Sequence, residues 1–267
     1  MKTPVNVAIT GAAGQIAVGA LKQAAPDGAT LLLASGAIAT VYPYLYAKLG
    51  YDPAADLKPV SVAAVATLAL AVGAAVPASV RSLGEFIDWS RANPALSNFG
   101  SPGPGTLPHV LSAMLFRQTK VEAQHVAYAG GPPAMVDLMG GRIASLVLPE
   151  GLLRPHHAAG KLRVLATSGS ARSDFMPDVP TFVEQGHPNL AIREWFAFFM
   201  PGSTTATVVE SASHAVRAAA ENKALGSALA EMGMLASSGT PAAISERIAS
   251  EQRYWREAIN STGIRVE

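Results

Sequence analysis

One long uncharged stretch does most to limit what this chain can fold into. No Asp, Glu, Lys or Arg lies between Lys58 and Arg81, which is long enough to raise the question of a membrane-spanning helix. Alanine dominates the stretch, however, and Gly73 and Pro77 interrupt it. Short apolar runs bounded by turn residues are typical of strands that are buried on both faces. The stretch therefore predicts two buried strands and no membrane span.

Strand-like and helix-like patterns alternate along the rest of the chain. Residues 5–9 indicate a strand, 15–25 a helix and 30–34 a second strand, which together form a βαβ unit. Further helices are predicted over 82–92, 107–118, 132–139, 152–159, 206–221, 223–232 and 241–259, and further strands over 96–99, 124–127, 143–148 and 162–167. Ser82 and Glu85 have the spacing of a capping box. Such alternation is typical of α/β proteins with mostly parallel sheets.

The composition excludes several classes of function. The 267 residues include 20 Lys and Arg against 19 Asp and Glu, and the basic residues are scattered singly. A nucleic-acid partner is not expected, because a row of phosphates is neutralised by clustered cations. The absence of cysteine excludes disulfides, thiolate zinc sites, iron–sulfur clusters and a cysteine nucleophile. No two of the six histidines have the spacing of a helical zinc site, so we expect no metal and no cofactor.

A glycine-containing loop near the start of the chain is a candidate anion site. Gly11, Ala12, Ala13 and Gly14 lie between a predicted strand and a predicted helix, where backbone N–H groups and a helix N-terminus face outward. The dinucleotide fingerprint is incomplete, because its third glycine and the acidic residue after the next strand are absent. An anion site and an ordinary turn both remain open. Residues 2–16 also resemble the start of malate dehydrogenases, but the likeness goes no further.

A second loop, residues 100–106, joins a predicted strand to a predicted helix. It combines three glycines, Gly105 among them, with the hydroxyls of Ser101 and Thr106. Backbone N–H groups and hydroxyls at a helix N-terminus hold a carboxylate without requiring a cation. The alternative is a rigid turn in which Ser101 caps locally. Tyr128 precedes another glycine pair and either lines a cleft or packs at a strand end.

The acidic residues and histidines offer few catalytic groups. Five acidic residues fall on different predicted elements, and for most of them a solvated position or local capping is expected: Asp137, Glu150, Asp178, Glu184 and Glu194. An enzyme would need an acid or base in a cleft, for which the candidates are His109, His125 and Glu150.

A series of short segments resembles the solute-binding receptors of tripartite tricarboxylate transporters, known as the Bug receptor family. The matching segments come in the family's order and span roughly residue 14 to the C-terminus. They are APDG at 25–28, LLL at 31–33, PYLY at 43–46, YDP at 51–53, DLKPV at 56–60, ANP at 92–94, GSPGPGT at 100–106 with His109, HVAYAG at 125–130, AGKLR at 159–163, PDVPT at 177–181, WF at 195–196 and GI at 263–264.

This resemblance implies a type II periplasmic-binding-protein fold with two α/β lobes around a cleft. Residues 1–76 with 198–267 would form lobe 1, and residues 77–197 lobe 2. A small carboxylic acid would bind in the cleft at the ends of the strands. The implied ligand-binding residues are Ser35, Gly36 and Ala37 in lobe 1, and Ser101, Gly105, Thr106 and Tyr128 in lobe 2. Leu148 stands where many members have an aspartate, so recognition of an ammonium group is not expected.

The leading hypothesis is therefore a solute-binding protein for a small di- or tricarboxylic acid, which delivers it to the membrane permease subunits of a tripartite transporter. The resemblance implies a periplasmic location. The sequence shows no convincing export signal and starts where the family's second strand is expected, so a cytoplasmic enzyme that acts on a small organic acid is the alternative. On this basis the strand at residues 5–9 is expected to pair directly with residues 30–34.

Overall fold

The computed structural model describes residues 14–266, apart from the side chains at 261 and 262. The predicted strand at residues 5–9, its predicted pairing with 30–34, and Gly11, Ala12 and Ala13 lie outside the described residues. The helices, α1 to α11, are Gln15–Gln23, Ala37–Thr40, Tyr42–Leu45, Pro53–Asp56, Leu83–Ala92, Leu107–Gln118, Gly131–Met139, Glu150–Ala158, Ala206–Ala220, Lys223–Glu231 and Pro241–Thr262. The strands, β1 to β8, are Leu32–Ser35, Leu57–Val72, Asn98–Ser101, Gln124–Ala127, Ser145–Pro149, Arg163–Thr167, Arg193–Pro201 and Met234–Ala236.

The predicted helices within these residues are confirmed, with ends within three residues of the expected ones. Local signals explain this agreement. The Ser82 hydroxyl accepts the Glu85 N–H and the Glu85 carboxylate accepts the Ser82 N–H, which is the predicted capping box at the start of α5. At the start of α11 the Thr240 hydroxyl accepts the Ala243 N–H, and Pro241 occupies the first helical position. None of the helices in the described part of the chain is long and apolar enough to cross a membrane.

The described chain divides into two compact units. Unit 1 contains the residues up to Val65 and those from Glu194 onward, and unit 2 contains Ala66 to Arg193. The chain passes from unit 1 to unit 2 within β2 and returns at the start of β7. The two ligand-binding lobes expected from the sequence, with boundaries at residues 76 and 197, stay a prediction.

Unit 1 is built on β1, β7, β8 and the first half of β2. Strand β1 pairs antiparallel with β7, and both β7 and β8 are hydrogen-bonded to β2. Val60, Met200 and Val209 form a buried cluster beneath α9. This arrangement sets the end of β1, at Ser35, against β7.

Unit 2 holds the second half of β2 with β3, β4, β5 and β6. Strand β3 runs parallel to β4 and β5, but β2 is antiparallel to β5 and to β6. The expectation of mostly parallel sheets is therefore wrong, and the pairing is mixed. The sequence could not show this, because a strand buried on both faces is a continuous apolar run whichever direction its neighbours take.

The uncharged stretch forms one strand where two were predicted. Strand β2 runs without a break from Leu57 to Val72 and then ends at Gly73. A Cβ at Gly73 would lie 1.8 Å from the carbonyl oxygen of Leu138, so the close approach of α7 requires glycine at this point. No glycine or proline occurs from Val60 to Val72, and the strand pairs first within unit 1 and then within unit 2.

Candidate functional site

In unit 2, the candidate ligand residues gather around one loop between β3 and α6. Ser101 ends β3, and its carbonyl accepts the Tyr128 N–H at 3.0 Å. The Thr106 hydroxyl donates to the Gly103 carbonyl at 2.8 Å, and Gly105 has a positive φ of 78° that favours glycine. The structure thus places Ser101, Gly105, Thr106 and Tyr128 around this one loop, and their role in ligand binding stays a prediction.

The Ser101 hydroxyl joins this loop to a histidine through hydrogen bonds. It donates to the Gly103 carbonyl at 3.0 Å and lies 2.7 Å from His125 Nε2. Since its one proton goes to Gly103, the His125 ring donates to Ser101. Ser101 is fully buried. A serine and a histidine at this distance resemble a nucleophile and its base, but this hydroxyl is committed to the loop and is closed to solvent.

Two stacked histidines lie next to Ser101. The rings of His109 and His125 are 3.9 Å apart and nearly parallel, and the Phe99 ring lies 5.1 Å from His125. His109 Nδ1 accepts the Gly105 N–H at 3.0 Å. Burial, and secondarily the neighbouring His125, lowers the pKa of His109 to about 4, and burial also lowers the pKa of His125. Both rings are therefore neutral at pH 7 and serve as hydrogen-bonding and packing groups.

Helix α6 begins at the end of this loop, and its first turn has N–H groups without an acceptor inside the helix. Thr106 is its N-cap residue, but the Thr106 side chain does not cap the helix. The first-turn N–H groups of Leu107 and His109 have no acceptor within the helix, and Pro108 has no N–H. The helix dipole adds positive potential at the same end. This end of α6 can hold a carboxylate without a cationic side chain.

Tyr128 is fixed by a network that the sequence analysis did not identify. Its hydroxyl donates to Asp137 Oδ2 at 2.9 Å, and Arg142 binds Asp137 Oδ1 at 2.8 Å. Burial and the hydrogen bond to Asp137 raise the pKa of Tyr128 to about 12. The phenol therefore stays protonated. The spacing of Asp137 and Arg142 around the turn after α7 was the only sequence signal for this network.

In unit 1, Ser35, Gly36 and Ala37 form a tight turn from β1 into α2, here termed the 35–37 turn. The Gly36 N–H donates to the Trp195 carbonyl at 2.8 Å, and the Ala37 N–H donates to Ser35 Oγ at 3.2 Å. A Cβ at Gly36 would lie 2.1 Å from the Trp195 ring. Gly14, the described member of the candidate anion loop, has a φ of 89° and lies beside α2.

Helix α11 holds Trp195 in place beneath this turn. The indole Nε1 donates to Glu251 Oε2 at 2.9 Å, and Arg247 binds Glu251 Oε1 at 2.7 Å. The Arg247 guanidinium also lies 4.6 Å above the Trp195 ring, which is a cation–π contact. The 35–37 turn therefore packs against the Trp195 ring, which Glu251 and Arg247 hold in place.

Two carboxyl groups are not solvated as expected. Glu150 in unit 2 is 1% exposed and accepts the Ser173 hydroxyl at 2.7 Å; burial raises its pKa. Glu194 in unit 1 is 8% exposed, and burial raises its pKa to about 7, against the hydrogen bond from Ser35. Nothing in their local sequence distinguishes them from surface acids, because their burial comes from tertiary packing. Among residues 14–266, no three histidine or acidic side chains converge as a metal site.

Comparisons with known proteins give this geometry a context. A family model described as "Tripartite tricarboxylate transporter family receptor" matches residues 3–264. Protein BugT of Bordetella pertussis is 31% identical over 258 residues, which is 96% of this chain and 78% of BugT.

Two similar solved structures hold dicarboxylates. R. palustris Rpa4515 with adipate is 27% identical with a TM-score of 0.87, over 94% of this chain and 84% of that one. MatC from Rhodopseudomonas palustris with bound malate is 25% identical with a TM-score of 0.84, over 93% and 85%. A solved periplasmic transporter that is 29% identical, with a TM-score of 0.88 over 96% of this chain and 85% of that one, confirms the predicted α/β fold of the periplasmic-binding-protein type.

Proposed function

Because the chain belongs to the tripartite tricarboxylate transporter receptor family, we propose that it is a solute-binding protein for a small dicarboxylic or tricarboxylic acid. The observation that carries the proposal is the family match along nearly the whole chain. Adipate and malate in two structural neighbours support the substrate class. The family and these neighbours are binding proteins, which favours a binding role over catalysis.

The proposed site in unit 2 is the loop that leads into α6. One carboxylate would accept hydrogen bonds from the first-turn N–H groups of α6 and lie against Gly105 and Thr106, where the helix dipole stabilises an anion. The phenol of Tyr128, kept protonated, would border the ligand. Ser101 would act on the ligand by fixing the loop.

The proposed site in unit 1 is the 35–37 turn. Ser35, Gly36 and Ala37 would hold a carboxylate there, with Gly14 beside α2 as a candidate neighbour. Each carboxylate would then be held by neutral donors, an arrangement that suits reversible binding because no buried ion pair has to be broken on release. We further propose that the protein acts in the periplasm and passes its ligand to permease subunits.

Native mass spectrometry of the purified protein, followed by a thermal-shift screen of di- and tricarboxylates, tests this function. A ligand present at 100 times its Kd adds about 2.7 kcal/mol to the free energy of unfolding. For a chain of this size that is a rise of roughly 5–10 °C in Tm. Adipate and malate are the first probes, and their diamides are matched uncharged controls. A protein that retains no acid and is stabilised by none would contradict the proposal.

A further inference from the structure

Glu194 is a buried carboxyl beside the 35–37 turn. Ser35 and Phe196 are register partners across the antiparallel pair β1 and β7. Glu194 is two residues from Phe196 along β7 and so lies on the same face of the sheet as Ser35. The Ser35 hydroxyl lies near enough to the Glu194 carboxyl to lower its pKa as a hydrogen-bonding group. A buried acidic group therefore lies beside a residue of the proposed carboxylate site, on the same face of the sheet.

This carboxyl has no cationic partner in the described part of the chain. Within residues 14–266, none of the ion pairs includes Glu194. Its pKa of about 7 is high because burial disfavours the charged form, and the Ser35 hydrogen bond only partly offsets that effect. Glu194 therefore changes its charge near neutral pH.

The titratable and charged groups near Glu194 lie on α3 and α11. Tyr42 of α3 acts electrostatically together with Glu194, but burial keeps the pKa of Tyr42 well above its ordinary value, so it stays neutral. Arg247 and Glu251 of α11 bind Trp195, which alternation places on the opposite face of β7. Strand β1 contributes Ser35 and no charged residue.

We propose that Glu194 makes ligand binding proton-linked: a carboxylate binds at the 35–37 turn when Glu194 holds a proton and is repelled when Glu194 is ionised. This inference rests on the proposed function of that turn. Two carboxylates that share a buried site without a cation cannot both be charged at low cost. Binding of the acid therefore takes up one proton.

Ser35 explains how the proton reaches the ligand site. Its hydroxyl has one proton and two lone pairs, and one lone pair already accepts the Ala37 N–H. When Glu194 is ionised, the Ser35 proton is used on the Glu194 carboxylate. When Glu194 is protonated, its own O–H donates to the second lone pair of Ser35. The Ser35 proton is then released to donate to the carboxylate of the ligand.

Isothermal titration of the full chain with adipate between pH 6.5 and 8.5 tests this inference. Adipate stays ionised over this range, as ordinary carboxylates do. With a group that titrates near 7, we expect the affinity to fall about twentyfold from pH 6.5 to 8.5. Titrations in two buffers of different ionisation enthalpy should show uptake of up to one proton.

Three variants separate the role of Glu194 from general effects. Glu194→Gln should bind adipate with an affinity that no longer varies with pH. The exposed Glu210→Gln is the matched control and should keep the wild-type profile. Ser35→Ala removes the group that lowers the pKa of Glu194. This variant should bind adipate more weakly, and the midpoint of its pH-dependent affinity should move to higher pH. If Glu194→Gln does not fold, the Ser35→Ala midpoint decides.

The results that would overturn the inference are distinct from those that would overturn the function. Adipate binding that is constant with pH in the wild type, or still pH-dependent in Glu194→Gln, leaves the binding function intact and removes this role. Tighter binding of 2-aminoadipate that is lost in Glu194→Gln would instead make Glu194 a partner for an ammonium group. If neither adipate nor malate binds at any pH, the proposed function fails and the inference fails with it.

Discussion

At the scale of single residues, the loop before α6 depends on neutral histidines. His109 accepts the Gly105 N–H and stacks against His125, which in turn donates to Ser101. Protonation of His109 would remove the acceptor and place a charge in a buried position. The folded state therefore resists protonation of this ring. The free energy of unfolding decreases as the pH is lowered through the range in which the unfolded chain binds the proton more readily.

His109→Phe tests this dependence. The phenyl ring preserves the stack but leaves the Gly105 N–H without its acceptor, so we expect the free energy of unfolding at pH 8 to fall by about 1–3 kcal/mol. In the wild type, His109 should lower the free energy of unfolding by about 3 kcal/mol as the pH falls from 6.5 to about 4. Urea unfolding at pH 8, 6 and 4 should show a smaller acid-dependent loss in the variant. Parallel pH profiles for the two proteins would contradict the role given to His109.

At the scale of elements, the 35–37 turn is shaped by its support. Strand β7 provides the Trp195 carbonyl and ring, and α11 fixes that ring through Arg247 and Glu251. The resulting surface leaves no room for a side chain at Gly36. The position of the proposed ligand contacts in unit 1 is therefore determined by a residue far along the chain.

Gly36→Ala should show this dependence directly. The added Cβ meets the Trp195 ring at 2.1 Å, and we expect overpacking to lower the free energy of unfolding by about 1–3 kcal/mol. Gly226→Ala in α10 is the matched control, since a Cβ there meets nothing within 4 Å and should stabilise the helix by about 0.5–1 kcal/mol. Denaturant unfolding and adipate titration of both variants provide the comparison. A Gly36→Ala protein as stable as the wild type would show that the turn can move away from Trp195.

The same elements show how far the sequence alone could predict the structure. The α5 capping box and the limits of α6 depend on neighbouring residues, and both were predicted correctly. The continuity of β2 was not predicted. A long strand that pairs with different strands along its length has no local signal that distinguishes it from two shorter strands. The burial of Glu194 likewise arises from contact between β1 and β7, which are distant in sequence.

At the scale of the whole molecule, the described chain consists of two compact units, and each contains one of the proposed carboxylate-binding segments. Unit 2 contributes a loop and helix N-terminus that the sequence identified by its glycines and hydroxyls. Unit 1 contributes a turn whose residues came from the family resemblance, together with a buried acid that neither source indicated. The family match along residues 3–264 connects these parts to one function, the binding of a small acid.

Isothermal titration with adipate and with adipamide at pH 6.5 tests that function most directly. The two molecules have the same length and differ in charge, so only recognition of carboxylate groups separates them. We predict saturable binding of one adipate per chain and no measurable binding of adipamide. Equal binding of the two, or binding of neither adipate nor any other acid in the same series, would contradict the account of this protein as a carboxylate receptor.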